Sequence, residues 1–211
     1  MKFIDLTHTF IDAMPVFPGD PPASLIQTAF IEKDGNNDHT LTTAMHAGTH
    51  MDAPLHMITD GKRIDELSLE QFFGNGVLID ARGKKEINTD LLEGLIIEEG
   101  SVVLLFTDFG KKYHTTEYFS DYPEITEEFV KRLIDLKVKM IGMDTSSPEH
   151  NPPWKIHKAL LKNHILILEN LTNLDQLLTI DDFEVIALPT KLRAAAAPIR
   201  VIAKICSPND T

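Results

Sequence analysis

The chain has 211 residues, 43% of them hydrophobic, enough to bury one sizeable core in a single domain spanning 1–211. Its formal net charge of −12, with no basic run to offset it, would be repelled by nucleic-acid phosphates and by anionic membranes, so neither is expected as a partner. The lone Cys206 rules out an internal disulfide, and the opening MKFIDLTHTFID carries Asp5 where a signal peptide would be apolar, so a cytoplasmic protein is expected.

In chain order, the first 45 residues look extended, with SLIQTAFIEKD and HTLTTAM as strand candidates. Between them and the start lies MPVFPGDPPAS (14–24), too short for a domain linker, which reads as a rigid surface loop punctuated by Pro-Gly-Asp. SLEQFFG predicts a short helix, with Ser68 and Gln71 at capping-box spacing. GVLID (76–80), VVLLF (102–106), MIGMD (140–144), ILILE (165–169) and VIALP (185–189) are short, continuous apolar runs that suit strands covered on both faces. ITEEFVKRLIDL predicts a helix capped by Thr126, with acidic residues in its first turn and Phe129, Val130, Leu133 and Ile134 recurring at helical spacing. IHKALLKNH predicts another. The class is α/β with a substantial sheet. Asp80, Asp144 and Glu169 each end an apolar run, where α/β sheets commonly gather ligands, although for Asp80 a turn cap is the expected role.

HAGTHMDAPLH (46–56) holds three of the nine histidines and an aspartate. Imidazole and carboxylate are the usual ligands of zinc and similar divalent ions. Gly48 and Pro54 disfavour a helix here, and in an extended segment His50 and Asp52 share a side. A bend at Gly48 would bring His46 round to the same point. Three ligands and an open position make a catalytic rather than a structural site. His56 is either a further ligand or, as we favour, the group that moves protons. Phe17 offers either an aromatic wall for a substrate or plain packing. No G-x-S-x-G elbow supports a serine nucleophile, and Cys206, with no histidine beside it, reads as structural.

The signature H-x-G-T-H-x-D-x-P-x-H resembles that of the cyclase-like metal-dependent hydrolases, the family of bacterial kynurenine formamidase (arylformamidase) and isatin hydrolase. IDLTHTF, VFPGDPP, ELSLEQFFG, VLID, IGMDTSSPE, HKALLKNHILILENLTNL and ALPTK…APIRVIAKI extend the likeness in the family's order. The resemblance implies a swivelling β/β/α fold with a mixed sheet flanked by helices and an extended N-terminal arm. It implies that His46, His50 and Asp52 bind one divalent ion. It further implies that His157 and Glu169 bind a second one, bridged by Asp52, and that His56 transfers protons. Zinc is the first expectation and manganese the second. His150 and His164 have no matching role. RAAAAPIR stands where relatives carry glycines, so a loop near the pocket is expected to differ in shape. The implied activity is hydrolysis of N-formylkynurenine to kynurenine and formate. Opening of a cyclic amide or lactone is the alternative, and a non-enzymatic metal-binding protein the alternative of another class. The implied assembly is a homodimer or larger homo-oligomer.

Overall fold

The computed structural model describes residues 2–205, so Cys206 lies outside the described residues. The strands are β1 (Lys2–Asp5), β2 (Ser24–Ala29), β3 (Asp38–Thr42), β4 (His50–Asp52), β5 (Phe73–Asp80), β6 (Glu86–Ile87), β7 (Val102–Phe106), β8 (Glu124–Ile125), β9 (Met140–Met143), β10 (Leu166–Glu169), β11 (Phe183–Pro189) and β12 (Ala196–Ile205). The helices are α1 (Ile31–Asp34), α2 (Glu127–Asp135) and α3 (Lys155–Lys162). Among the described residues no helix is long and apolar enough to cross a membrane.

The expected flanked sheet is corrected in one respect: it closes on itself. Strand order runs β1-β12-β11-β5-β7-β9-β10-β4, and β4 pairs back onto β12. The neighbours β5, β7, β9 and β10 run parallel, whereas β4, β11 and β12 join antiparallel. Alternation along each strand then divides the apolar residues between two cores. Val102, Leu104, Phe106, Met140, Leu166, Leu168, Val185 and Val201 fill the inside of the closed sheet. Val103, Leu105, Ile141, Met143 and Ile167 face outward against Phe129, Val130 and Leu133 of α2 and Ile156, Leu160 and Leu161 of α3. Coverage on both faces is why these strands read as unbroken apolar runs.

Helix α2 begins as its sequence requires, with the Thr126 hydroxyl accepting from Phe129 N–H at 3.3 Å. SLEQFFG forms only a tight 3₁₀ turn over Leu69–Phe72. There the Ser68 N–H donates to Gln71 Oε1 at 3.3 Å, and β5 begins at Phe73, leaving no length for an α-helix. The expected arm is also corrected: the first residues are an edge strand, β1, antiparallel to β12. Only the β2–β3 hairpin is arm-like, a separate ribbon on which Ile26 and Leu41 are exposed.

Candidate metal centre

Strand β4 is three residues long, clasped between β10 and β12. Met51 points into the inner core, which turns His50 and Asp52 outward together. On β10, His50 lies directly opposite Glu169, and on β12 Asp52 lies opposite Ala196. Of the alanine run, Ala196 and Ala197 continue the sheet as the start of β12, whereas Ala194 and Ala195 lie in the bend that precedes it. Ala194 and Ala195 offer their carbonyls to Ile64 and Ala53 N–H groups, and Ala196 opens β12 with a side chain small enough to sit beside Asp52. Extended backbone makes no demand for glycine there.

Gly48 does need its freedom. At φ +68° it turns the chain so that its carbonyl accepts from His50 Nδ1 at 2.9 Å and from Asn170 Nδ2 at 2.8 Å. With Nδ1 committed to the Gly48 carbonyl, His50 turns Nε2 toward the carboxylates, 3.2 Å from Glu169 and 3.5 Å from Asp52. The same turn carries His46 back, with Nδ1 2.9 Å from Asp52 Oδ1. His56 ends the 3₁₀ turn Pro54–His56, with Nε2 3.9 Å from Asp52 Oδ2. Helix α3 delivers His157, whose Nε2 is 3.3 Å from Glu169 Oε1 while its Nδ1 lies 3.1 Å from Glu149 Oε1.

All six residues expected at the metal thus converge. They group differently from the expected sets: ligand atoms of His46, Asp52 and His56 lie within 4.8 Å of one another, as do those of His50, Asp52 and Glu169. Asp52 belongs to both. Among the described residues, His50 Nε2, both Asp52 oxygens and Glu169 Oε1 are buried without a hydrogen-bond partner. Buried carboxylates left so are expensive unless a cation sits among them. The donor set, imidazole nitrogen and carboxylate oxygen, fits a divalent ion of the zinc or manganese type.

The electrostatics make the same demand for positive charge. Burial pushes the Asp52 carboxyl up, but His46, 2.9 Å away, together with the charges of His50 and His56, outweighs it and holds the group well below the usual carboxylate range. Burial pulls His50 down, yet Glu169 and Asp52 together raise it to about 9. His157, likewise opposed by burial, is raised to about 10 by Glu149 and Glu169. Burial lowers His56, against the pull of Asp52.

The cluster opens onto a cavity of about 270 Å³. Pro15, Val16, Phe17, Met57, Phe119 and Trp154 form apolar walls, while Ser146, Ser147, Asn170 and Asp20 add polar groups. Phe17 is both wall and packing, meeting Phe119 edge-on at 6.0 Å. Glu149, Asn170 and Trp154 were not singled out from sequence. The first two carried no signal beyond their place in SSPE and LEN, and Trp154 was a lone aromatic. Elsewhere, Asp80 serves Arg82 as a local cap, Asp144 accepts from Thr107, His150 pairs with Glu124 at 3.2 Å, and His164 is exposed.

The profile of the Cyclase family matches residues 4–150, more than half of the chain. This chain belongs to the Cyclase family. Among its relatives, the kynurenine formamidase of Bacillus mycoides (strain KBAB4) is 31% identical over 205 residues, which cover 95% of this chain and 96% of the relative. Isatin hydrolase A from Labrenzia aggregata, solved with benzyl benzoate bound, superposes with a TM-score of 0.86 at 26% identity, covering 98% of this chain and 94% of that chain. A structure described as a "potential metal-dependent hydrolase with cyclase activity" superposes at 0.78 with 26% identity, covering 98% and 99%.

Proposed function

We propose that this member of the Cyclase family hydrolyses the formyl amide of N-formylkynurenine to kynurenine and formate, with a divalent metal held by His46, His50, Asp52, His157 and Glu169. The observation that carries the reading is a set of buried imidazole and carboxylate atoms lacking hydrogen-bond partners at the floor of an aromatic-walled cavity. The 31% identity to kynurenine formamidase supports the choice of substrate. Zinc is the first candidate and manganese the second, because nitrogen and oxygen ligands accept both.

A divalent ion at such a site polarises the amide carbonyl and brings the pKa of a water molecule from about 16 down to about 7. The chain's own residues do the rest. His50 and His157 are held with Nε2 toward the cluster by the Gly48 carbonyl and by Glu149. Phe17, Phe119 and Trp154 exclude bulk water and offer faces and edges to an aromatic ring. His56 borders the cavity with its Nε2 beside Asp52, placed to take a proton from the attacking water and return it to the leaving nitrogen.

Formate release from N-formylkynurenine by metal-replete protein tests the reading; its absence overturns it. Ring opening of isatin is the second reading, favoured by the likeness to isatin hydrolase A and by a cavity small enough for a fused bicycle. Run beside the formate assay, it decides between the two. A metal store is disfavoured because the cluster opens to a cavity instead of closing around its ion. We also propose a homodimer or larger assembly, since the β2–β3 hairpin and its connection expose Ile26, Phe30, Ile31 and Leu41; sedimentation as a monomer would refute it.

A further inference from the structure

The cavity holds one charged group that the metal cluster does not use. Asp20 lines it from the proline-rich loop, and no lysine or arginine does so. Being exposed, Asp20 stands at the mouth, and its carboxylate has no ion pair or hydrogen bond among the described residues. Its position is nevertheless stiff. Its N–H donates to the Phe17 carbonyl at 3.0 Å across Pro18 and Gly19. Gly19 takes φ +102°, and Pro21 follows, which confines Asp20 itself to extended backbone. The turn sets the Asp20 carboxylate close in the chain to the Phe17 ring, which meets Phe119.

A lone carboxylate at the mouth of an aromatic-walled cavity that no lysine or arginine lines suits an ammonium group and repels an anion. We propose that Asp20 is a specificity-determining residue. It pairs with an amine carried by the substrate away from the bond that is cut, and so selects amine-bearing aryl amides over analogues that carry only a carboxylate there. For N-formylkynurenine the α-ammonium meets Asp20 and the α-carboxylate turns to solvent. The proposal rests on the amide-hydrolase reading above and adds the group that chooses among such amides.

The test compares wild type, Asp20→Asn and Asp20→Lys on N-formylkynurenine and on its analogue with hydrogen in place of the amine. Wild type is expected to favour the amine-bearing substrate in kcat/KM by about 1.5-fold to fivefold, the worth of an exposed ion pair, with the preference shrinking as salt is added. In Asp20→Asn the ratio falls to about one, and in Asp20→Lys it inverts. An unchanged ratio in the variants, or an equal loss on both substrates, overturns the proposal in favour of a purely structural loop. If neither substrate releases formate, the amide-hydrolase reading fails separately. Calorimetric binding of kynurenine and its deaminated analogue then tests Asp20 alone: a preference lost in Asp20→Asn supports it, and equal affinities for wild type overturn it.

Discussion

Asp52 faces three imidazoles, His46 at 2.9 Å and His50 at 3.5 Å from one oxygen and His56 at 3.9 Å from the other. Because it belongs to both ligand sets, Asp52→Asn is expected to remove all stoichiometric metal, measured by elemental analysis of the purified variant. His56→Ala should instead keep its metal and lose about 10²–10⁴-fold in kcat, the usual worth of a general acid–base. Loss of metal from that variant would make His56 a ligand. Next in the chain to His50, Thr49 Oγ1 accepts from the His8 N–H at 2.9 Å; the His8 ring stacks on Tyr113 at 3.8 Å and is lowered to about 4, first by burial and then by His114. The folded state therefore favours neutral His8. Its contribution to stability is fully present above the ordinary histidine value of 6.5 and is lost as pH falls from there toward about 4. His8→Phe, which keeps a ring against Tyr113, should show a shallower drop in denaturant midpoint between neutral and acidic pH than wild type.

At the level of elements, α3 holds His157 through Glu149, whose Oε1 lies 2.9 Å from the His157 backbone nitrogen and 3.1 Å from its Nδ1. Glu149→Ala should weaken metal binding by about 10–100-fold in a chelator competition, the common effect of losing the partner that orients a ligand. Helix α2 provides the contrast. Thr126→Ala removes its cap and should cost about 1 kcal/mol in urea unfolding while leaving kcat alone, because α2 touches only the outer core. These elements show what was legible. Thr126 with the apolar spacing of Phe129, Val130 and Leu133 announced α2, and five apolar runs announced β5, β7, β9, β10 and β11, because cap and periodicity are local signals. Glu149 was not legible as a partner of His157, since only the packing of α3 against the strand ends brings the two together. The course of the alanine run was not legible for a related reason: alanine is neutral about conformation until a neighbouring strand fixes it.

For the whole molecule, the decisive contact lies between stretches far apart in sequence. His50–Asp52 pairs with Ile167–Glu169 on one side and with Ala196–Pro198 on the other. Nothing local in any of these segments encodes strand order, so closure of the sheet was beyond reach from sequence even though its strands were not. Removing the metal should lower Tm, because an ion bound only by the folded form stabilises it by about 2.7 kcal/mol at a hundred times its Kd. Calorimetry before and after dialysis against a chelator checks this, and unchanged melting would mean that the cluster binds no ion in solution.

The clasp on β4 also has a consequence for biosynthesis. A polypeptide emerging from the ribosome presents His46, His50 and Asp52 long before their flanking strand β12. Until residues 196–198 have left the exit tunnel, those side chains lie on a strand flanked on one side only, so ion capture must wait for β12 to emerge.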